Sequence, residues 1–155
     1  MAVPAQEAER RVRVLAEGIR EGGLRLTHQR LEVARELAAS DAHPDVETIF
    51  CNVRRRVPTV SLDTVYRTVG TLAELGLIER VSVLTGPARY DADLSEHHHF
   101  VCQSCGLIRD IRAGSLDRLE APAEIGDLGT VEHVKVQFHG TCRDCVEKNG
   151  KGDRP

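Results

Sequence analysis

The sequence predicts an α+β chain, a helical first part followed by a small mixed unit, and three observations carry that prediction. Apolar residues recur at helical spacing as far as Gly76. Two short strand-like runs then flank Leu84-Thr85-Gly86-Pro87, and beyond about Asp93 the pattern turns to strand alternation lying between two Cys-x-x-Cys pairs. The 155 residues suit one compact domain or two small ones and exclude a large multidomain enzyme. An apolar content of 41% excludes wholesale disorder. No run approaches the roughly 20 apolar residues of a membrane span, and the start MAVPAQEAERR is charged where a secretory signal needs an apolar core. A soluble cytoplasmic chain that avoids membranes is expected.

The elements follow in order. Ala5 to Arg20 carries an apolar stripe of Val12, Leu15, Ala16 and Ile19, stopped by Gly22-Gly23. Thr27 caps a second helix that buries Leu31, Val33, Ala34 and Leu37. Asp45 caps a third, with Val46, Ile49, Phe50 and Val53 apolar, ending in Arg54-Arg55-Arg56 before Pro58. Ser61 caps a fourth, in which Val65, Val69, Leu72 and Leu75 form the buried stripe, other faces carry Asp63, Thr64, Tyr66, Arg67 and Thr71, and Gly76 is the stop. Leu77 to Val83 and Arg89 to Asp91 read as a two-stranded hairpin. Helices followed by such a hairpin make a winged helix-turn-helix pattern.

In the second part, Val131 to His139 reads as a half-buried strand with Val134, Val136 and Phe138 on one face. Phe100 to Val101 and Leu107 to Ile111 are its candidate partners, and Ser115 to Leu119 reads as a short helix ended by Pro122. The last residues, Lys148 to Pro155, read as an unfolded tail.

Five cysteines without a secretory signal argue for thiolate chemistry rather than disulfides. Cys102-Gln103-Ser104-Cys105 and Cys142-Arg143-Asp144-Cys145 are two knuckles, and four thiolates suit a closed, structural, tetrahedral Zn²⁺ site. Four unrelated thiols are the plain alternative, and a thioredoxin-like pair lacks its βαβ context. Cys51, beside Phe50, reads as a small buried core residue. Glu96-His97-His98-His99 forms a second cluster, with Asp91 before it and Asp110 after. His97 and His99 share a face of any extended strand, so both imidazoles reach one ion, and mixed His and carboxylate ligation suits Fe²⁺, Mn²⁺ or Zn²⁺. A solvated polar loop explains the same tract. His43, taken alone, reads as a surface histidine.

AHPDVETIF, SLDTVYRTVGTLAELGLIERV, ARYDADLSEHHHFVCQSCGLIRDI and GTCRDC, in that order and spacing, resemble the ferric uptake regulator superfamily of bacterial metal-dependent repressors. The resemblance runs from about Leu24 to Cys145 and implies an N-terminal winged-helix DNA-binding domain (1–91), a C-terminal dimerisation domain (92–147) and a tail (148–155). It places Cys102, Cys105, Cys142 and Cys145 on a structural zinc site. His43, Asp91, His97, His99 and Asp110 fall on a regulatory site for Fe²⁺ or Mn²⁺, which Zn²⁺ also suits, and His43 becomes a ligand rather than an incidental residue. One ion drawing donors from both parts would bias the DNA-competent form of a homodimer.

Asp110 resembles the peroxide-sensing branch, whereas the iron-uptake branch usually carries Glu there. In that branch bound Fe²⁺ reacts with H₂O₂ and a ligand histidine, here His43 or His97, is oxidised. The chain departs from a further metal site of the superfamily: its strand histidine is replaced by Val134, with His133 one residue off and so on the opposite face. Glu96 and His98 are candidates for what remains of that site. Tyr66 and Arg67 by family position, with Thr64 and Ser61 near the helix start, are the expected DNA contacts on a palindromic double-stranded operator.

Charge does not advertise DNA binding. Residues 1 to 91 hold 13 Lys and Arg against 13 Asp and Glu, and residues 92 to 155 hold 8 against 11. The first part is neutral and the second acidic, so nonspecific affinity for DNA should be weak. An iron- or zinc-uptake regulator is the alternative within the superfamily. From other classes, a zinc hydrolase using His97, His99 and an Asp with Glu96 as base lacks a catalytic spacing such as HExxH, and a zinc-stabilised interaction module has no use for His97.

Overall fold

The computed structural model describes residues 3–81, 83 and 86–150, with backbone alone at 149 and 150. The chain divides into two compact units, Met1–Leu94 and Ser95–Pro155. Among the described residues no helix is long and apolar enough to cross a membrane.

The first unit is four helices and a hairpin. α1 (Ala5–Glu21) buries Leu15, Ala16 and Ile19 and leaves its charges outside. Beyond it the backbone turns at Gly23, whose φ of 75° lies in the left-handed region that glycine enters without strain. α2 (His28–Ala38), α3 (Val46–Arg56) and α4 (Leu62–Glu74) each start on the residue expected. The side chains of Thr27, Asp45 and Ser61 accept the backbone N–H groups of Arg30, Thr48 and Thr64 at 3.3, 2.7 and 3.1 Å, satisfying donors that a first helical turn leaves unpaired. The faces so aligned bury Val33, Leu37, Ile49, Val53, Val65, Val69 and Leu72 in one core. Glu32 is buried on α2, and its carboxylate takes hydrogen bonds from Arg35 and from Arg56 of α3, a pairing that lets a charge sit against the core.

β1 (Glu79–Val81) and β2 (Arg89–Asp91) pair antiparallel with Glu79 opposite Asp91. β1 is shorter than the run expected from Leu77 to Val83, and Ser82, Leu84 and Thr85 of the expected hairpin lie outside the described residues. Leu75, expected in the buried stripe of α4, is exposed, because it follows the last helical residue and the chain turns at Gly76 (φ 68°). Cys51 is exposed, against the expectation of a core residue. The buried stripe of α3 is Val46, Ile49 and Val53, and Cys51, two residues from Ile49, is turned about 200° away from it.

The second unit is a three-stranded sheet of order β4-β3-β5. β3 (His98–Cys102) pairs antiparallel with β4 (Ile108–Ile111) and parallel with β5 (Gln137–Gly140). Its buried apolar side chains are few, namely Val101 and Ile108 beside the sulfurs of Cys102 and Cys142. The expected strand from Val131 is only its last part, and Val134 and Phe138 are exposed rather than covered. Alternation reports which residues share a face and not whether anything covers it.

Ser115 to Leu119 forms turns, not a helix, since Gly114 and Pro122 leave too short a span to repay nucleation. Pro122 instead precedes a single 3₁₀ turn, Ala123–Ile125. A final helix, α5 (Arg143–Gly150), was not expected, and it carries regular structure into the segment read as a tail. Residues 151 to 155 of that tail lie outside the described residues.

Leu72 is fully buried in the first unit's core. Leu72→Ala should therefore lower unfolding free energy by about 2–5 kcal/mol in urea denaturation, with the denaturant slope unchanged.

Candidate metal centres

Two knuckles build the sulfur cluster. One runs from Cys102, the last residue of β3, into the turn toward β4, and the other spans the start of α5, where a helical i, i+3 spacing turns Cys142 and Cys145 to one side. All four Sγ atoms lie within 4.8 Å of one another. Cys105 and Cys142 sulfurs are 3.7 Å apart. Tetrahedral Zn–S bonds of about 2.3 Å require edges near 3.8 Å, so this donor set fits that ion.

The Cys142 backbone N–H donates to the Cys102 sulfur at 3.2 Å and holds that thiol well below its ordinary value, at about 6. The crowding sulfurs of Cys142 and Cys105 push Cys145 the other way, up to about 12. One thiolate forms readily and the last resists. Only a cation neutralises all four together, and binding it must release protons.

Histidines and carboxylates form donor groups in each unit. In the first, the His43 Nε2 lies 3.2 Å from the Asp91 Oδ2, both side chains buried. The other Asp91 oxygen accepts the Asp93 backbone N–H at 2.7 Å. Burial of His43 corrects the surface reading that its sequence context alone suggests. In the second unit the Nε2 atoms of His97 and His99 stand 3.0 Å apart with the rings edge to face. Asp110, opposite His99 on β4, brings its Oδ1 to 3.8 and 3.7 Å from these two nitrogens. Two imidazole nitrogens at about 2.1 Å from one ion at a right angle would lie about 3 Å apart, which this pair matches. His97 Nδ1 is 2.7 Å from the Ser95 carbonyl oxygen. As a donor to that oxygen Nδ1 leaves Nε2 as the metal-binding nitrogen.

His98 points elsewhere. Its Nδ1 accepts the Val136 backbone N–H at 3.1 Å and its Nε2 lies 3.2 Å from an Asp117 oxygen. Glu96 is exposed, and neither it nor His98 belongs to a group of three or more metal donors among the described residues. His133 and Val134 are exposed as well. Asp117 was not singled out from the sequence. No motif or spacing in the sequence points to it, because it reaches His98 through the turn that follows β4.

On α4 the expected DNA contacts sort by role. Tyr66 and Arg67 are exposed, and Arg67 is tied to Asp63 one turn back at 2.9 Å. Ser61 caps the helix, and its hydroxyl meets that of Thr64 at 2.9 Å. Of the basic run at the end of α3, Arg56 is engaged with Glu32 and Glu36, and Arg54 lies over the Phe50 ring at 5.5 Å.

The model of the ferric uptake regulator family matches residues 21–145. A peroxide-responsive repressor of Staphylococcus aureus is 26% identical over 148 residues, covering 96% of this chain and all of that one. Among solved structures, a zinc-bound manganese uptake regulator is 29% identical with a TM-score of 0.64, covering 83% of this chain and 98% of that one. The Helicobacter pylori ferric uptake regulator, described as having three functional metal binding sites, shares the fold at 23% identity and a TM-score of 0.69, over 90% of this chain and 93% of that one.

Cys142→Ser should reduce bound zinc by about one ion per chain and expose the second unit to proteolysis, measured by metal analysis and limited digestion. Zinc affinity of the unaltered chain should fall as pH falls, because protons compete for sulfurs such as Cys145.

Proposed function

The chain belongs to the ferric uptake regulator family and is a metal-dependent DNA-binding transcription regulator, not an enzyme, and we propose that it is a cytoplasmic, peroxide-responsive repressor. The zinc-hydrolase reading gives way with that membership. Proteins of the family bind DNA as dimers, and so does this one. In the proposed arrangement residues 1–91 read a palindromic operator, residues 92–147 dimerise, and Tyr66 and Arg67, with Thr64 and Ser61, make the contacts. Exposure of Tyr66 and Arg67 on α4 supports that assignment.

We assign Cys102, Cys105, Cys142 and Cys145 to structural Zn²⁺, and His43, Asp91, His97, His99 and Asp110 to one regulatory Fe²⁺ or Mn²⁺. The observation that carries the second assignment is that each unit holds a buried pair of close-set donors, His43 with Asp91 in the first and His97 with His99 in the second. Buried imidazoles and carboxylates of this kind are costly to assemble and are characteristic of ligands. Fe²⁺ held there would supply the one-electron chemistry that cleaves the O–O bond of H₂O₂; in the net reaction one peroxide oxygen would leave as water and the other would end on a ring carbon of a ligand imidazole, which gives up the two electrons. The chain's own part is to hold that imidazole. His97 Nδ1, engaged with the Ser95 carbonyl, keeps its ring from turning away, and His43 is closed off from solvent. Losing one ligand weakens the site and so withdraws the bias toward the DNA-binding form.

The peroxide reading draws on Asp110 at the branch-specific position and on the Staphylococcus aureus relative. A metal-uptake regulator is the second reading, favoured by the manganese uptake regulator at 29% identity.

Operator binding should require Fe²⁺ or Mn²⁺. For the Fe²⁺ form, and not the Mn²⁺ form, H₂O₂ should abolish it while adding the mass of one oxygen to the peptide containing His43 or His97. Retained binding with no adduct selects the uptake reading. Arg67→Ala should weaken operator binding by about 10-fold or more with metal content unchanged, in a gel-shift titration.

A further inference from the structure

His43 has an unusual backbone. Its φ is 50°, and it is the one residue other than glycine at positive φ among the described residues. A side chain with a Cβ is disfavoured there, and the following Pro44 narrows the choice further. A conformation of this kind persists only where the surroundings hold it.

Three consecutive residues of β2 provide that hold. The Arg89 guanidinium donates through Nε to the His43 carbonyl and through Nη2 to the Ala42 carbonyl at 3.0 Å. The Tyr90 backbone N–H donates to the Pro44 carbonyl at 3.1 Å. Asp91 meets the His43 ring itself. Arg89 and Asp91, two apart on a strand, project from one face, so the same face grips both the backbone and the imidazole of His43. A planar, charged, two-donor group suits two successive carbonyls in a way that an ammonium does not.

We infer that Arg89 is a positioning residue for the regulatory metal: it locks the Ala42–Pro44 segment so that His43 keeps the left-handed conformation that aims its ring at the same ion as Asp91. The inference rests on His43 and Asp91 being ligands, as proposed above. Arg89 acts through the backbone carbonyls of Ala42 and His43 rather than on the ion, and the cost of ordering His43 falls on the folded, metal-free chain rather than on the binding step.

Arg89→Lys tests it, because the charge near the site is kept and only the fork is lost. With zinc already in the four-cysteine site, Co²⁺ titration followed by its visible absorption should show a midpoint raised about 10-fold or more, the range typical when a group that orients a ligand is removed. At saturating Co²⁺ the operator affinity should return to that of the unaltered protein, which a general loss of structure would not allow. Hydrogen exchange at the Tyr90 amide should quicken in the Co²⁺-free form. Arg89→Gln, with one amide donor group, should shift the same way and serves if the lysine variant folds poorly.

A Co²⁺ midpoint within twofold of the unaltered protein would overturn the inference. If the unaltered protein takes up no Co²⁺ beyond its zinc, the regulatory-metal reading fails instead, and unchanged Tyr90 exchange would then sink the backbone role as well.

Discussion

A divalent cation held by imidazole and carboxylate takes about four to six ligands, and among the described residues neither unit alone supplies that many of the five donors assigned to it. His43 and Asp91 are two, and His97, His99 and Asp110 are three. On the proposed reading this shortage is what makes the metal regulatory. A site complete within one unit would be filled without consequence for the other, whereas donors divided between two make occupancy a constraint on both. The free energy available for the DNA-competent form is the difference in metal affinity between the arrangement that gathers all five donors and those that do not.

The two proposed metals divide the work according to their donors. The described residues of the second unit bury few apolar side chains, and the sulfurs of Cys102 and Cys142 sit among them. A closed four-thiolate site there substitutes for a hydrophobic core, and its ion should be slow to leave. The nitrogen and oxygen donors are weaker, open to redox-active iron and sensitive to the loss of a single imidazole. The first unit needs no such help. Its caps at Thr27, Asp45 and Ser61 and its aliphatic core stabilise it, so it can support a strained His43 without a bound ion.

Local chemistry was legible in the sequence, and contacts between distant residues were not. The three helix caps, the buried stripe of α3, and the shared side of His97 and His99 depend on residues within a turn or a strand of one another. Residue type and spacing are enough to read them. The burial of His43 depends on β2, 48 residues away, and only the family resemblance separated it from an ordinary loop histidine. The role of Arg89 was invisible for the same reason. Val134 and Phe138 alternate correctly yet stay exposed, because periodicity carries no information on what covers a face. α5 was missed since KNGKGDRP has the composition of a tail. The spacing of Cys142 and Cys145 does not announce it either, since Cys102 and Cys105 share that spacing at the end of β3 and in the turn beyond.

The most direct test of a shared ion is a count of it. Equilibrium dialysis of the zinc-loaded protein against Mn²⁺ should give about one further ion per chain, and His43→Ala and His97→Ala should each remove it, although the two residues belong to different units. If either variant still binds a full equivalent of Mn²⁺ at the original affinity, the donors of the two units do not serve one ion, and the account of the metal as a coupling between them is wrong.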